Sequence, residues 1–282
     1  MSLGVLNNIS AIYAQNNLNQ TQANLQSTLT QLSSGSRINS GADDAAGLAL
    51  ADGLHANVAA LTQSAQNASA GVGMLQTADG ALAQVTNLLD RAITLATEAA
   101  NGTLNTSQVG SADQEYQNIL TEIANIGSTT NYNGNNVFSA TAVNIFVSDG
   151  TTSGASTFGQ TVGVLTKASV GTTSGGGGAD LTANATLDAT TATSILTTLT
   201  SAVADVAYQR GTIGANINQL NAAANVANTQ TVNLSSAENN IRATNYGQAT
   251  SDMAKYQILS QTGIAALSQA NSVQQDVLKL LQ

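Results

Sequence analysis

Apolar residues recur every seven positions along most of this chain. Leu54, Leu61, Ala68, Leu75, Leu82, Leu89 and Ala96 form one unbroken row. Val58, Ala65, Val72 and Ile93 fill most of a second row four positions further on, with Asp79 and Thr86 interrupting it. A heptad repeat sustained this long predicts a coiled-coil helix. From Asp43 to Ala100 it would run ~85 Å, and Asn101-Gly102 is a stop signal. Leu18, Leu25 and Leu32 keep the same spacing in an earlier, shorter segment, with Leu29 between them.

The ladder returns in the C-terminal half. Leu196, Leu199, Val203, Val206, Arg210, Ile213, Ile217, Leu220, Ala224, Ala227, Thr231, Leu234, Glu238 and Ile241 step by three and four, and only Arg210, Thr231 and Glu238 are not apolar. A last stripe, Leu267, Ala270, Val273, Val277 and Leu280, predicts another amphipathic helix. Between the two halves, Tyr116, Ile119, Leu120, Ile123 and Ile126 predict a helix over Asp113 to Ile126, ended by Gly127. Asn133-Gly134 marks a turn, and VNIFVSDG reads as a strand and turn. From Ser148 to Thr186 the composition shifts to Ser, Thr and Gly. SGGGGAD (Ser174 to Asp180) reads as a flexible connection, and a short strand is expected at Thr161 to Leu165. The expected fold is mostly α: a long antiparallel coiled-coil bundle of N- and C-terminal regions with a small β-containing middle segment.

Composition narrows the function. Charged residues are 8% of the chain, about a third of the usual ~25%, with Asn, Gln, Ser and Thr in their place. Monomers keep themselves soluble with charge, so faces this uncharged point to burial against other protein. A net charge of −9 with seven Lys and Arg argues against nucleic-acid binding. Without Cys there are no disulfides or thiolate sites. Absent Pro fits long helices, since an interior Pro costs ~3 kcal/mol. The N-terminus lacks the basic region of a cleaved Sec signal, and no apolar run reaches the ~20 residues of a membrane span. His55 is the only His, and next to Leu54 it reads as a helix-flank residue. There is no H-E-x-x-H zinc motif, and no Lys-Ser/Thr follows SGGGGAD to make a phosphate loop. No constellation of catalytic residues emerges, so no enzyme, cofactor or metal is expected.

The helical pattern breaks at LSSGSRINSGADDAAGLAL, Leu32 to Leu50. Ser40 and Asp43 have capping-box spacing, which predicts that Ser40 caps the new helix, with Asp43 and Asp44 in its first turn. Arg37 is placed to pair with these carboxylates, within the chain or across a subunit boundary. Ala45, Ala46 and Gly47 would let another backbone approach closely.

This stretch closely resembles the N-terminal signature of bacterial flagellins. QTADGAL (Gln76 to Leu82), AANGT (Ala99 to Thr103) and TNYNG (Thr130 to Gly134) resemble further motifs of that family. So do Gln257-Ile258-Leu259, Gln269-Ala270-Asn271 and the closing Val277-Leu278-Lys279-Leu280-Leu281. The resemblance covers roughly residues 1–140 and 190–282. The chain departs from the family at Val273, where Pro is common, and at Asn240 to Asn245, where a charged run is usual. The large outer domains of long flagellins have no counterpart.

The resemblance implies a filament subunit for swimming motility, exported without a cleaved signal peptide to the extracellular flagellum. Residues 1–42 and 247–282 would form inner-tube helices. Residues 43–137 and 188–246 would form an outer bundle, and 138–187 a variable β/loop segment. Arg37, Asp43 and Asp44 would sit in the spoke and at inter-subunit contacts. Leu18, Leu25, Leu32, Leu267, Val273, Val277 and Leu280 would lie on the polymerising termini. Expected partners are identical subunits, the flagellar export apparatus and an export chaperone, and hook-associated and cap proteins, with no nucleic acid or membrane. Arg91, Leu95 and Glu115 match the flagellin positions recognised by the vertebrate Toll-like flagellin receptor, while Asp90 stands where the family commonly has Gln. A hook–filament junction protein of the same family and a surface adhesin-like amphipathic protein remain open as alternatives.

Overall fold

A computed structural model describes residues 8–150, 157–173, 177–183 and 186–280; of Gln274 and residues 276–280 it describes the backbone alone. Helix α1 (Ile9–Ser34) starts where the Asn8 carboxamide accepts the Ala11 N–H, and ends at Gly35 in the left-handed conformation, φ 71°. Helix α2 (Ala45–Ala100) follows, then α3 (Thr106–Thr129). Strands β1 (Asn131–Tyr132) and β2 (Asn135–Asn136) pair around the Asn133-Gly134 turn. Strands β3 (Val143–Phe146) and β4 (Thr157–Gln160) pair antiparallel, Ile145 opposite Phe158. Helices α4 (Ala192–Arg242) and α5 (Tyr246–Leu280) complete the described chain.

The chain divides into two compact units. The first comprises residues 1–56 and 233–282, and the second residues 57–232. The second has a continuous core from α2, α3, α4 and the middle segment. The predicted row on α2 is its spine: Leu61, Ala68, Leu75, Leu82, Leu89 and Ala96 are all buried. Its companion row lies three positions on, not four. Ser64, Gly71, Ala78, Val85, Ala92 and Ala99 are buried, whereas Val58, Ala65, Val72 and Ile93 are half-buried. Apart from Val85, the companion row is made of small residues, which carry little hydrophobic signal.

Those small residues leave room for the middle segment. A Cβ on Gly71 would meet Ile145 Cδ1 at 2.3 Å, and one on Gly73 would meet the Tyr132 hydroxyl at 3.1 Å. Ser64 Oγ donates to the Ser148 carbonyl, 2.5 Å. Both hairpins thus rest on one stretch of α2 whose side chains are too small to hold them off.

The residues that break the apolar rows have partners. Asp79 and Arg210 meet each other in a two-point ion pair, at 2.7 and 3.3 Å. Thr86 and Thr231 donate to the carbonyls of Leu82 and Ala227 on their own helices. Glu238, in the first unit, faces Arg242 at 3.6 Å and His55 at 3.3 Å. On α4 the buried position is Gln209 rather than Arg210. Its amide donates to the Val162 carbonyl.

Three boundaries differ from the sequence reading. Helix α3 starts seven residues early because Asn105 and Gln108 form a reciprocal capping box. It passes through Gly127, which is buried against the Leu165 carbonyl. The strand expected at Thr161 to Leu165 lies instead at Thr157–Gln160. Gly163, φ 84°, bends the later stretch while Val162 and Leu165 enter the core. Part of the expected SGGGGAD connection, residues 174–176, lies outside the described residues.

Helix α4 is approached through an Asp-centred turn. Asp188 Oδ1 accepts the Thr190 hydroxyl and the N–H groups of Thr191 and Thr190. The Thr190 hydroxyl first, then the two N–H groups, pull the Asp188 pKa down from 3.8 to about 2. A carboxylate with a lowered folded pKa stabilises above its unfolded value and loses that contribution as pH falls. Acid titration of stability should therefore show a component lost between about 4 and about 2 that Asp188→Asn abolishes; an unchanged acid profile would contradict the turn. Gly127→Ala gives a sharper test. Helix propensity alone predicts a gain of ~1 kcal/mol. The new Cβ would sit 2.0 Å from the Leu165 carbonyl oxygen, so urea denaturation should show a net loss of about 1–3 kcal/mol. A stabilised variant would refute the contact.

Candidate functional site

The two breaks in the helical pattern of the first unit are zipped to each other. The Arg37 N–H donates to the Arg242 carbonyl (2.6 Å), and the Thr244 N–H to the Gly35 carbonyl (3.0 Å). Ser36 and Ala243 form an isolated antiparallel bridge. The Thr244 hydroxyl reaches the Gln31 carbonyl, 3.3 Å. The backbone groups freed where α1 and α4 end are thereby satisfied across the chain. Asn245 then caps α5 by accepting the Gln248 N–H, 3.2 Å. The family resemblance puts a boundary at 246/247 beside Ala243-Thr244-Asn245, but nothing in the sequence foretells that this stretch bonds to the N-terminal break. The available signal for the boundary itself was the end of the apolar ladder at Ile241 followed by a cap residue.

Within this joint the charged residues take different places from those expected. The Arg37 guanidinium donates to the Ile241 carbonyl, 2.9 Å. No ion pair joins it to Asp43 or Asp44 among the described residues. A cation at the C-terminal end of α4 also complements the helix dipole.

Ser40 does not cap the helix. The Asp43 carboxylate accepts the N–H groups of Asn39 and Ser40 and the Ser40 hydroxyl, at 2.8–3.1 Å. These bonds, the Asn39 N–H foremost, lower the Asp43 pKa. The cap is Asp44, which accepts the Gly47 N–H at 2.8 Å. Gly47 admits the Ile38 and Asp44 side chains, not another backbone: a Cβ there would meet Asp44 Oδ2 at 2.3 Å and Ile38 Cδ1 at 2.9 Å. Ile38 is buried as a result.

Helices α1 and α5 pack closely. A Cβ on Gly263 would touch Leu18 Cδ1 at 3.2 Å, and Asn8 donates to the Ala270 carbonyl. Yet among the described residues the pair has almost no interior. Leu18, Leu25, Leu32 and Leu267 are only half-buried, and Val273, expected in the apolar stripe, is exposed. The side chains of Val277 and Leu280 lie outside those described. Ile9, Ile12, Tyr13, Leu29, Ile258, Leu259 and Ile264 are exposed too, Tyr13 at 66% and Ile258 at 61%.

In the second unit, Arg91 and Glu115 form a two-point ion pair at 2.7 and 3.0 Å, each about half exposed. The Arg91 hydrogen bond lowers the Glu115 pKa. Leu95, which the family resemblance groups with Arg91 and Glu115, is 2% exposed and belongs to the core. Its place on the α2 turn, between Ala92 and Ala99, directs it inward. Among the described residues no helix is long and apolar enough to cross a membrane.

Residues 5–143 match the family model described as the bacterial flagellin N-terminal helical region, and residues 196–281 that of the bacterial flagellin C-terminal helical region. The chain is similar from end to end to the flagellar filament 33 kDa core protein of Treponema phagedenis, 31% identical over 98% of both chains. It is 32% identical to the flagellar filament 30.7 kDa core protein of Treponema maltophilum, over 97% of this chain and 98% of that one. Flagellin 1 of Proteus mirabilis is 42% identical over 51% of this chain and 40% of its own length.

The cap assignment predicts an order of effects. Asp44→Ala should lower the thermal midpoint more than Ser40→Ala, because it removes the α2 cap while the latter deletes one of three donors to Asp43. The reverse order would restore Ser40 as the cap.

Proposed function

The chain belongs to the bacterial flagellin family, and from that membership we propose how it acts: as a structural subunit that self-assembles into the flagellar filament for swimming. The observation that carries the mechanism is the exposed apolar surface of α1 and α5 in the first unit, whereas the second unit has a closed core of its own. Burying apolar surface is worth roughly 25 cal/mol per Å², and neighbouring copies supply the missing cover. Contacts of this kind are heterologous and non-closing, as a filament requires.

Residues 1–42 and 247–282 then build the inner tube, 43–137 and 188–246 the surrounding bundle, and 138–187 a small variable segment. The hydrogen-bonded joint of Gly35 to Arg37 with Arg242 to Thr244 ties the end of α1 to the end of α4 within the first unit. Arg37, Asp43 and Asp44 contribute to subunit contacts from that joint. The subunit is exported to the extracellular flagellum by the flagellar type III apparatus with a chaperone, and meets hook-associated and cap proteins there. A Toll-like receptor reading this chain would meet the Arg91–Glu115 pair and not the Leu95 side chain.

Seeded assembly tests the reading. Purified monomer given filament seeds or salted out should yield long uniform filaments by negative-stain electron microscopy, with a gain in helical circular dichroism. Monomers or short caps that never elongate, with no gain in helix, would overturn it. For the receptor, Arg91→Ala should lower signalling several-fold; unchanged signalling would remove that part of the proposal.

A further inference from the structure

The chain holds the pair Asn-Gly at Asn101-Gly102 and again at Asn133-Gly134, in two different settings. Asn133-Gly134 is the turn of a hairpin held on both sides, Tyr132 opposite Asn135 and Asn131 opposite Asn136. Tyr132 is packed against the second unit's core. Asn101-Gly102 lies in the link between α2 and α3, with no strand pairing across it. Asn101 is exposed, Gly102 has φ 65°, and nothing lies within 4 Å of where a Gly102 side chain would begin. The Asn101 amide nitrogen Nδ2 donates to the Thr103 hydroxyl at 3.0 Å.

We propose that Asn101 is a site of spontaneous deamidation, with isoaspartate as its main product, and that the same dipeptide at Asn133 is protected by its hairpin. The chemistry needs only water. The Gly102 main-chain nitrogen, having lost its proton, attacks Cγ of Asn101. A C–N bond forms, the Cγ–Nδ2 bond breaks, and Nδ2 leaves as ammonia. Water then opens the five-membered imide at either carbonyl, giving aspartate or isoaspartate at position 101.

Three features favour Asn101. Glycine at 102 has no Cβ to obstruct the attack or the rotation that brings its nitrogen to Cγ. The link can make that rotation without breaking a sheet register, whereas at Asn133 the rotation would unpair both strands. The Thr103 hydroxyl already touches the departing nitrogen and can lend it a proton. The product matters to the fold because a new carboxylate there sits at the negative end of the α2 dipole. Isoaspartate also lengthens the main chain in the α2–α3 link. A long-lived polymer would accumulate this mark with age.

The test is time-resolved peptide mapping of the intact folded chain at mildly alkaline pH, with fragmentation that separates aspartate from isoaspartate. Deamidation at Asn101 should outpace that at Asn133 by at least several-fold in the folded protein, and the two rates should converge in denaturant. Gly102→Ala should suppress the reaction at 101 and leave 133 unchanged, and Thr103→Val should slow it. Equal rates at both sites in the folded chain, or no isoaspartate at 101, would overturn the proposal.

Discussion

Two helices paired alone can cover only the stripe along which they touch. Helices α1 and α5 are in that position. Among the described residues of α1, only Thr28 is buried, so the pair lacks the interior that would hold it together. A seven-residue apolar repeat specifies a seam and not a closed core. Leu18, Leu25, Leu32 and Leu267 make that seam, and the residues beside them stay in solvent. Isolated helices gain little from propensity alone. Their stability must come from packing that a single copy of the chain does not provide.

The second unit solves the same problem internally. Three helices and two hairpins enclose one core, and the small positions on α2 at Ser64, Gly71 and Gly73 are where the hairpins seat. Charge enters in a few pairs: Asp79 with Arg210, and Arg91 with Glu115. Much of the remaining polar surface is Thr and Ser whose hydroxyls return to carbonyls four residues back, as at Thr62, Thr94, Thr97 and Thr200. Such faces are polar without being charged, and packing another helix against them desolvates no unpaired hydroxyl donor or ion.

The heptad rows made the helices and their order legible, because Leu, Ile and Val dominate one row on each long helix. The companion row escaped because, Val85 apart, its residues are Ser, Gly and Ala, whose burial reflects space rather than hydrophobicity. Glycines at 71, 73 and 127 mark close packing, but the equally helical Gly53, Gly80, Gly110, Gly211 and Gly214 face open space, so the sequence alone does not separate the two kinds. Capping also misled. S-x-x-D at Ser40 fits a capping box, yet Asp44 sits one residue nearer the helix and takes the cap, while Asp43 folds back onto Asn39 and Ser40. The hydrogen bonds joining Arg37 to Ile241 and Arg242 span some two hundred residues, a relation that no local pattern carries.

Hydrogen–deuterium exchange on the monomer and on the assembled filament tests the central claim most directly. In the monomer, amides of α1 and α5 should exchange far faster than those around Leu75 to Ala99 on α2 and Ala192 to Ile213 on α4. In the filament all of these segments should be slow. If α1 and α5 are already as protected in the monomer as the second unit's core, the terminal pair is self-sufficient and the account is wrong.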